Sequence, residues 1–89
     1  MATVTVRVYL TEEFKQGPVP VSASTCIEAL RSLVAQYPAL KGIILTEGLK
    51  LKRDYIYLLN GQSVEFLGKE DAVLKDGDFI ALFPPVGGG

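Results

Sequence analysis

The chain ends in Pro84-Pro85-Val86-Gly87-Gly88-Gly89, and the group there with the most distinctive chemistry is the carboxylate of Gly89. A free carboxylate is a poor electrophile. A partner using ATP can convert it to an acyl-adenylate, and a sulfide or persulfide displacing AMP would then leave a C-terminal thiocarboxylate. An amine or thiol displacing AMP would give a conjugate instead. Gly88 and Gly89 lack a Cβ, so the end of the arm is as thin as a polypeptide can be and fits a narrow channel in another protein. Pro84 and Pro85 have fixed φ and favour an extended conformation, which directs the arm away from the domain. Six residues from Pro84 onward span roughly 20 Å when extended.

Other chemistry is sparse. The chain has no histidine and one cysteine, Cys26, so neither a Ser-His-Asp nor a Cys-His catalytic set can be built. One cysteine without histidine also makes no structural zinc site and no iron–sulfur cluster. An intrachain disulfide is impossible, which fits a reducing compartment. Cys26 lies near a helix start, where the dipole favours a thiolate, but the plain reading, a small semi-buried residue, is the expectation. No metal and no bound cofactor is expected, and ATP would belong to the activating partner.

With 89 residues, 48% of them apolar, the chain has room for one small core. The net charge of −1 comes with no basic stripe, which argues against nucleic acid. No apolar run nears the ~20 residues of a membrane helix, and the alternating start does not read as a signal peptide. A soluble cytoplasmic protein, monomeric when alone, is the expectation.

The elements that must position the arm follow from periodicity. Thr3–Leu10 alternates as a strand, with Val4, Val6, Val8 and Leu10 facing the core and Thr3, Thr5, Arg7 and Tyr9 facing out. Val19–Ala23 predicts a second, antiparallel strand, short or irregular because of Pro18 and Pro20. Thr25 and Glu28 have capping-box spacing, and Ile27, Leu30, Leu33, Val34 and Tyr37 form a helical stripe that Pro38 ends. Residues 39–53 are compatible with a short helix, a loop or edge-strand pieces. Tyr55–Leu59 predicts a strand, Asn60-Gly61 a hairpin turn, and Val64-Glu65-Phe66 the returning strand. Lys75-Asp76-Gly77-Asp78 is a polar turn before Phe79–Phe83, a strand apolar on both faces.

That order predicts an α+β fold of the β-grasp, ubiquitin-like kind: a mixed sheet, one main helix on one face and an extended C-terminal tail. The domain would span residues 1–83 and the tail 84–89. The first and last strands would be central parallel neighbours. Either Phe79, Ala81 and Phe83 or Ile80 and Leu82 must be core; the other set would form a docking patch or lie under residues 39–53. The partner-binding surface is therefore expected among Phe79, Ala81, Leu82, Phe83, Pro84, Pro85, Val86 and Gly87. Arg7 and Tyr9 would extend it or stay ordinary surface, and Lys50, Lys52 and Arg53 form a small solvated basic cluster.

The run from Leu74 to Gly89, with its Lys75-Asp76-Gly77-Asp78 turn, apolar strand and Pro84-Pro85-Val86 ending, resembles the C-terminus of the small subunit of molybdopterin synthase. Leu59-Asn60-Gly61 and Phe66-Leu67-Gly68 resemble that family as well. It and the thiamine-pathway carriers share a β-grasp fold and a terminal Gly-Gly; Gly87 takes the place of one small residue. The resemblance implies a ubiquitin-like sulfur carrier, not an enzyme by itself. Gly89 would be adenylated by a ubiquitin-activating-like adenylyltransferase and then thiocarboxylated. The tail would give up its sulfur to the large subunit of molybdopterin synthase or to another acceptor. Carriers for thiamine, cysteine or tRNA thiolation, a protein modifier, and an interaction module whose tail does no chemistry are the alternatives.

Overall fold

The computed structural model describes residues 1–9 and 18–84. Five strands and one α-helix follow in chain order: β1 (Ala2–Val8), β2 (Val19–Ala23), α1 (Cys26–Gln36), β3 (Ile56–Leu59), β4 (Gln62–Ser63) and β5 (Phe79–Phe83). The strands form one mixed sheet in the order β2-β1-β5-β3-β4. β1 and β5 run parallel at its centre, with Thr5 beside Phe79 and Val8 beside Leu82. This is the predicted β-grasp arrangement.

The first strand starts one residue earlier than its alternation suggested, and Leu10 lies outside the described residues. Val4, Val6 and Val8 are buried while Thr3, Arg7 and Tyr9 are exposed, as the period of two requires. β2 has the predicted span and is short, five residues, yet it pairs regularly despite its prolines, from Val19–Val6 to Ala23–Ala2. The reason is its edge position. Thr5 donates its N–H to the Asp78 carbonyl on the β5 side (3.0 Å), so Pro20 opposite it turns its missing donor to the open edge.

α1 begins with both halves of the capping box. The Thr25 hydroxyl accepts from Glu28 N (3.4 Å), and the Glu28 carboxylate accepts from Thr25 N (3.1 Å) and Ser24 N (2.9 Å). Its buried stripe is Cys26, Ile27, Ala29, Leu30, Leu33 and Val34. Leu30 and Leu33 are fully buried, each contributing about 2 kcal/mol of apolar transfer. The stripe packs on the inner sheet face in one cluster with Val4, Val6, Ile80 and Leu82.

Pro38 ends the helix and opens a 3-10 turn, Pro38–Leu40. Residues 41–55 are mostly loop, pinned by a single bridge between Leu45 and Leu51. Leu40, Ile44 and Leu45 are buried in the same core as the helix. The Tyr57 hydroxyl, buried on β3, donates to the Ile44 carbonyl (2.5 Å) and accepts from Lys52 N (3.0 Å), tying the loop to the sheet.

The Asn60-Gly61 turn is a two-residue hairpin with φ of 51° and 87°, the double left-handed geometry that this dipeptide tolerates. The returning strand differs from expectation. Only Gln62–Ser63 pair with β3, and Val64–Phe66 winds into a 3-10 turn instead. The Ser63 hydroxyl accepts from Glu65 N (3.3 Å), supplying the backbone with a local partner that competes with the ladder. Burial of Val64 holds that turn down, while Phe66 stays 85% exposed.

Candidate functional site at the root of the C-terminal arm

Along β5 successive side chains alternate between faces, and this decides which residues can meet a partner. Ile80 and Leu82 are fully buried on the helix side. Leu82, grouped with the partner-binding residues from sequence, is therefore a core residue, because its register beside Val8 and Tyr57 points it inward. Phe79 and Phe83 are half-buried on the opposite face, with Ala81 between them only 6% exposed. The buried residues of the 39–53 segment belong to the inner core, so that segment does not cover the outer face.

The neighbouring strands extend this outer face. β3 contributes Ile56, directly across from Phe83, and Leu58, across from Ala81. Ile56 is 41% exposed and Leu58 half-buried. Neither was singled out from sequence, although the alternation with buried Tyr57 and Leu59 carries the signal. β1 contributes Arg7 across from Ala81, with Tyr9 just beyond the strand end.

Tyr9 organises the corner where the arm begins. Its N–H donates to the Leu82 carbonyl (2.9 Å), prolonging the parallel ladder by one bond. Its ring stacks on Phe83, centroids 4.7 Å apart and planes within 2°. The Arg7 guanidinium also lies over the Tyr9 ring, 4.9 Å from its centroid. Phe83 is thus held between Ile56 and the Arg7–Tyr9 stack, and half-buried Pro84 is the last described residue. Pro85, Val86, Gly87, Gly88 and Gly89, the remaining predicted site residues, lie outside the described residues.

The other end of β5 is fixed by polar ties around the Lys75-Asp76-Gly77-Asp78 turn, which the sequence marks only as polar. Asp78 is 7% exposed. Its carboxylate accepts from Asn60 Nδ2 (2.9 Å) and Lys75 N (2.8 Å), while Asn60 Oδ1 accepts from Phe79 N (2.9 Å). The bond from Asn60, then that from Lys75, holds the Asp78 carboxyl below its ordinary range. Asp76 accepts from Thr3 N (2.8 Å), and Gly77, at φ 87°, donates to the Thr3 carbonyl (3.0 Å). The turn therefore fastens β5 to β1 on one side and to the β3–β4 hairpin on the other.

Cys26 takes no part in this corner. It is fully buried at the first turn of α1, and burial, with the nearby Glu70 charge, pushes its thiol up to about 12. That opposes the thiolate a nucleophile needs. Among the described residues no three metal-ligating side chains converge, and no helix is long and apolar enough to cross a membrane. The basic cluster is only partly solvated: Lys52 places its ammonium 5.1 Å from the Tyr55 ring, on a groove that also carries Asp54, Glu65 and Glu70.

The model of the ThiS family matches residues 7–89. Small archaeal modifier protein 3 of Haloferax volcanii is 39% identical over 66 residues, which span 74% of this chain and 71% of that protein. The solution structure of small archaeal modifier protein 1 from Methanosarcina acetivorans superposes with a TM-score of 0.80 at 31% identity, covering all of both chains. A chain of the BexX/CysO complex of Amycolatopsis orientalis superposes with a TM-score of 0.80 at 26% identity, covering 97% of this chain and 99% of that one.

Proposed function

Because the chain belongs to the ThiS family of ubiquitin-like sulfur carriers and modifiers, we propose that it works through the carboxylate of Gly89, carrying sulfur as a C-terminal thiocarboxylate. An oxygen of that carboxylate attacks the α-phosphorus of ATP, releasing pyrophosphate and forming the acyl-adenylate. Sulfide then attacks the carbonyl carbon, the bond to the AMP oxygen breaks, and AMP leaves. The chain contributes the acyl group and the surface that docks it. The nucleotide site and the proton-transfer groups belong to a ubiquitin-activating-like adenylyltransferase acting in the cytoplasm.

The observation that carries this reading is a juxtaposition. The central strand delivers Phe83 and Pro84 to one corner of the sheet, and the open apolar face of Phe79, Phe83, Ile56 and Leu58 lies beside that corner. A partner seated on that face has the arm at its edge, and exposed apolar area of this kind marks a protein contact. Gly88 and Gly89 then enter the partner's channel, with Pro84, Pro85, Val86 and Gly87 against its mouth.

Molybdopterin synthesis is the proposed destination, with the large synthase subunit as acceptor, on the strength of the Phe83-Pro84-Pro85-Val86 ending. A second reading, protein modification through isopeptide bonds, is favoured by the relatives named as modifiers. Intact mass spectrometry separates them. The protein is incubated with ATP, a sulfur source and extract of its own cells. Replacement of one oxygen by sulfur, localised to Gly89 and lost when Gly89 is deleted, supports the carrier. A ladder of conjugates lost with Gly89 supports the modifier. No change in mass, with a control carrier converted in the same extract, would end both readings.

A further inference from the structure

Among the described outward positions of the five strands, Arg7 carries the one formal charge, and its surroundings are Thr5, Tyr9, Phe79, Ala81, Phe83 and Leu58. The guanidinium is held in place by the Tyr9 ring beneath it at 4.9 Å, and that ring is stacked in turn on Phe83 at 4.7 Å. Ala81, the smallest side chain on this face of β5, sits directly across from Arg7 and leaves a dip between the two phenylalanines.

We propose that Arg7 is a specificity-determining residue of this face, pairing with a carboxylate side chain of the adenylating enzyme that docks on the sheet. The proposal rests on the reading of Gly89 as an activated carrier and adds how the partner is chosen. An enzyme surface covering this face must also cover Arg7, and a guanidinium removed from water without a counter-charge is strongly penalised. A planar fork pre-set by an aromatic ring suits a bidentate carboxylate. A partner with an apolar surface and one such carboxylate is accepted, whereas one with a neutral or basic surface there is rejected. Because the stack ends on Phe83, the same contact fixes the root of the arm against the enzyme.

The test is steady-state adenylation of Gly89, read as pyrophosphate release, by the adenylating enzyme purified from the protein's own cells. Arg7→Met keeps an unbranched apolar stem over Tyr9 and removes the charge. Arg7→Lys keeps the charge without the fork, and Arg7→Glu reverses it. The expected result is a KM raised about tenfold in Arg7→Met and further in Arg7→Glu, at unchanged kcat. Arg7→Lys should fall between wild type and Arg7→Met, and the salt dependence of KM should weaken once the charge is gone. Arg7 is exposed, so melting temperatures should stay close to wild type and Arg7→Met remains informative even where Arg7→Glu is perturbed. A KM within about twofold of wild type in both Arg7→Met and Arg7→Glu would refute the assignment while leaving the carrier intact. A loss confined to kcat would refute it equally. Failure of the wild-type chain to be adenylated at all, with a control carrier active, would overturn the carrier reading and Arg7's role with it.

Discussion

Leu82 and Phe83 are adjacent, apolar and next to the arm, yet the sheet assigns them opposite tasks, so truncating each in turn should produce opposite phenotypes. Leu82 is fully buried. Its truncation to alanine removes apolar burial and leaves a cavity, at a cost of about 3 kcal/mol. At about 4–8 °C per kcal/mol for a domain of this size, Tm should fall by about 12–24 °C. Phe83 is half-buried, and its ring stacks on Tyr9 at 4.7 Å. Losing that partial burial and the stack costs about 1.5 kcal/mol, or about 6–12 °C. Docking should reverse the order. Assayed well below its Tm, Leu82→Ala should keep a wild-type KM with the adenylating enzyme, and Phe83→Ala should raise it severalfold. The measurements are thermal melts by circular dichroism and the pyrophosphate-release assay. Leu82→Ala melting within about 3 °C of wild type, or below wild type by less than Phe83→Ala, would refute the facing of β5 from which the site is built.

Deleting Gly89, or replacing Gly88 with phenylalanine, should abolish sulfur loading in the mass assay while shifting Tm by less than about 1 °C; a larger shift would mean that the arm is packed on the domain. Asp78→Ala should cost about 2 kcal/mol near pH 7, because Asn60 Nδ2 and Lys75 N lose their acceptor. The Asp78 carboxyl is held below its ordinary range in the folded state, so its contribution is fully present above the unfolded carboxylate range, about pH 4. It is lost as pH falls through the lower folded value. Urea unfolding of the two proteins should therefore converge in acid, and a gap that widened there would contradict the sign. Cys26, buried and with its thiol pushed up to about 12, should resist alkylation at pH 8 until the protein unfolds. Rapid native-state labelling, or loss of sulfur loading in a folded Cys26→Ala variant, would show that this picture of the thiol is wrong.

Local chemistry was legible where one short stretch contains the whole reason. The spacing of Thr25 and Glu28 sets a capping box, Asn60-Gly61 sets a hairpin, and a stripe at helical spacing buries one face of α1. Period-two alternation placed the inner side chains of β1 and the span of β2. The unusual ending from Phe83 to Gly89, read with the turn before it, pointed to the chemistry and the family without any coordinates. Reading failed where the outcome depended on competition between local and distant partners. Val64-Glu65-Phe66 has strand composition, but the Ser63 hydroxyl and burial of Val64 turned it into a 3-10 segment. Asp78 reads from sequence only as part of a polar turn, because its partner Asn60 lies 18 residues away in the chain.

For β5 the sequence alone could not choose a face. Phe79–Phe83 is apolar throughout, so no alternation marks inside from outside, and only pairing with β1 and β3 sets Ile80 and Leu82 against the helix. The same pairings gather Arg7, Tyr9, Ile56 and Leu58 around Phe83 from strands that are remote along the chain. What the sequence by itself determined about this protein is the family and the fold, because the capping box, the hairpin turn, the strand alternation and the C-terminal motif each lie in contiguous residues; the chemistry proposed at Gly89 is read from that motif. What only the tertiary structure decided is which side chains share the outer face beside Phe83 and Pro84, because strand register is a relation between distant segments.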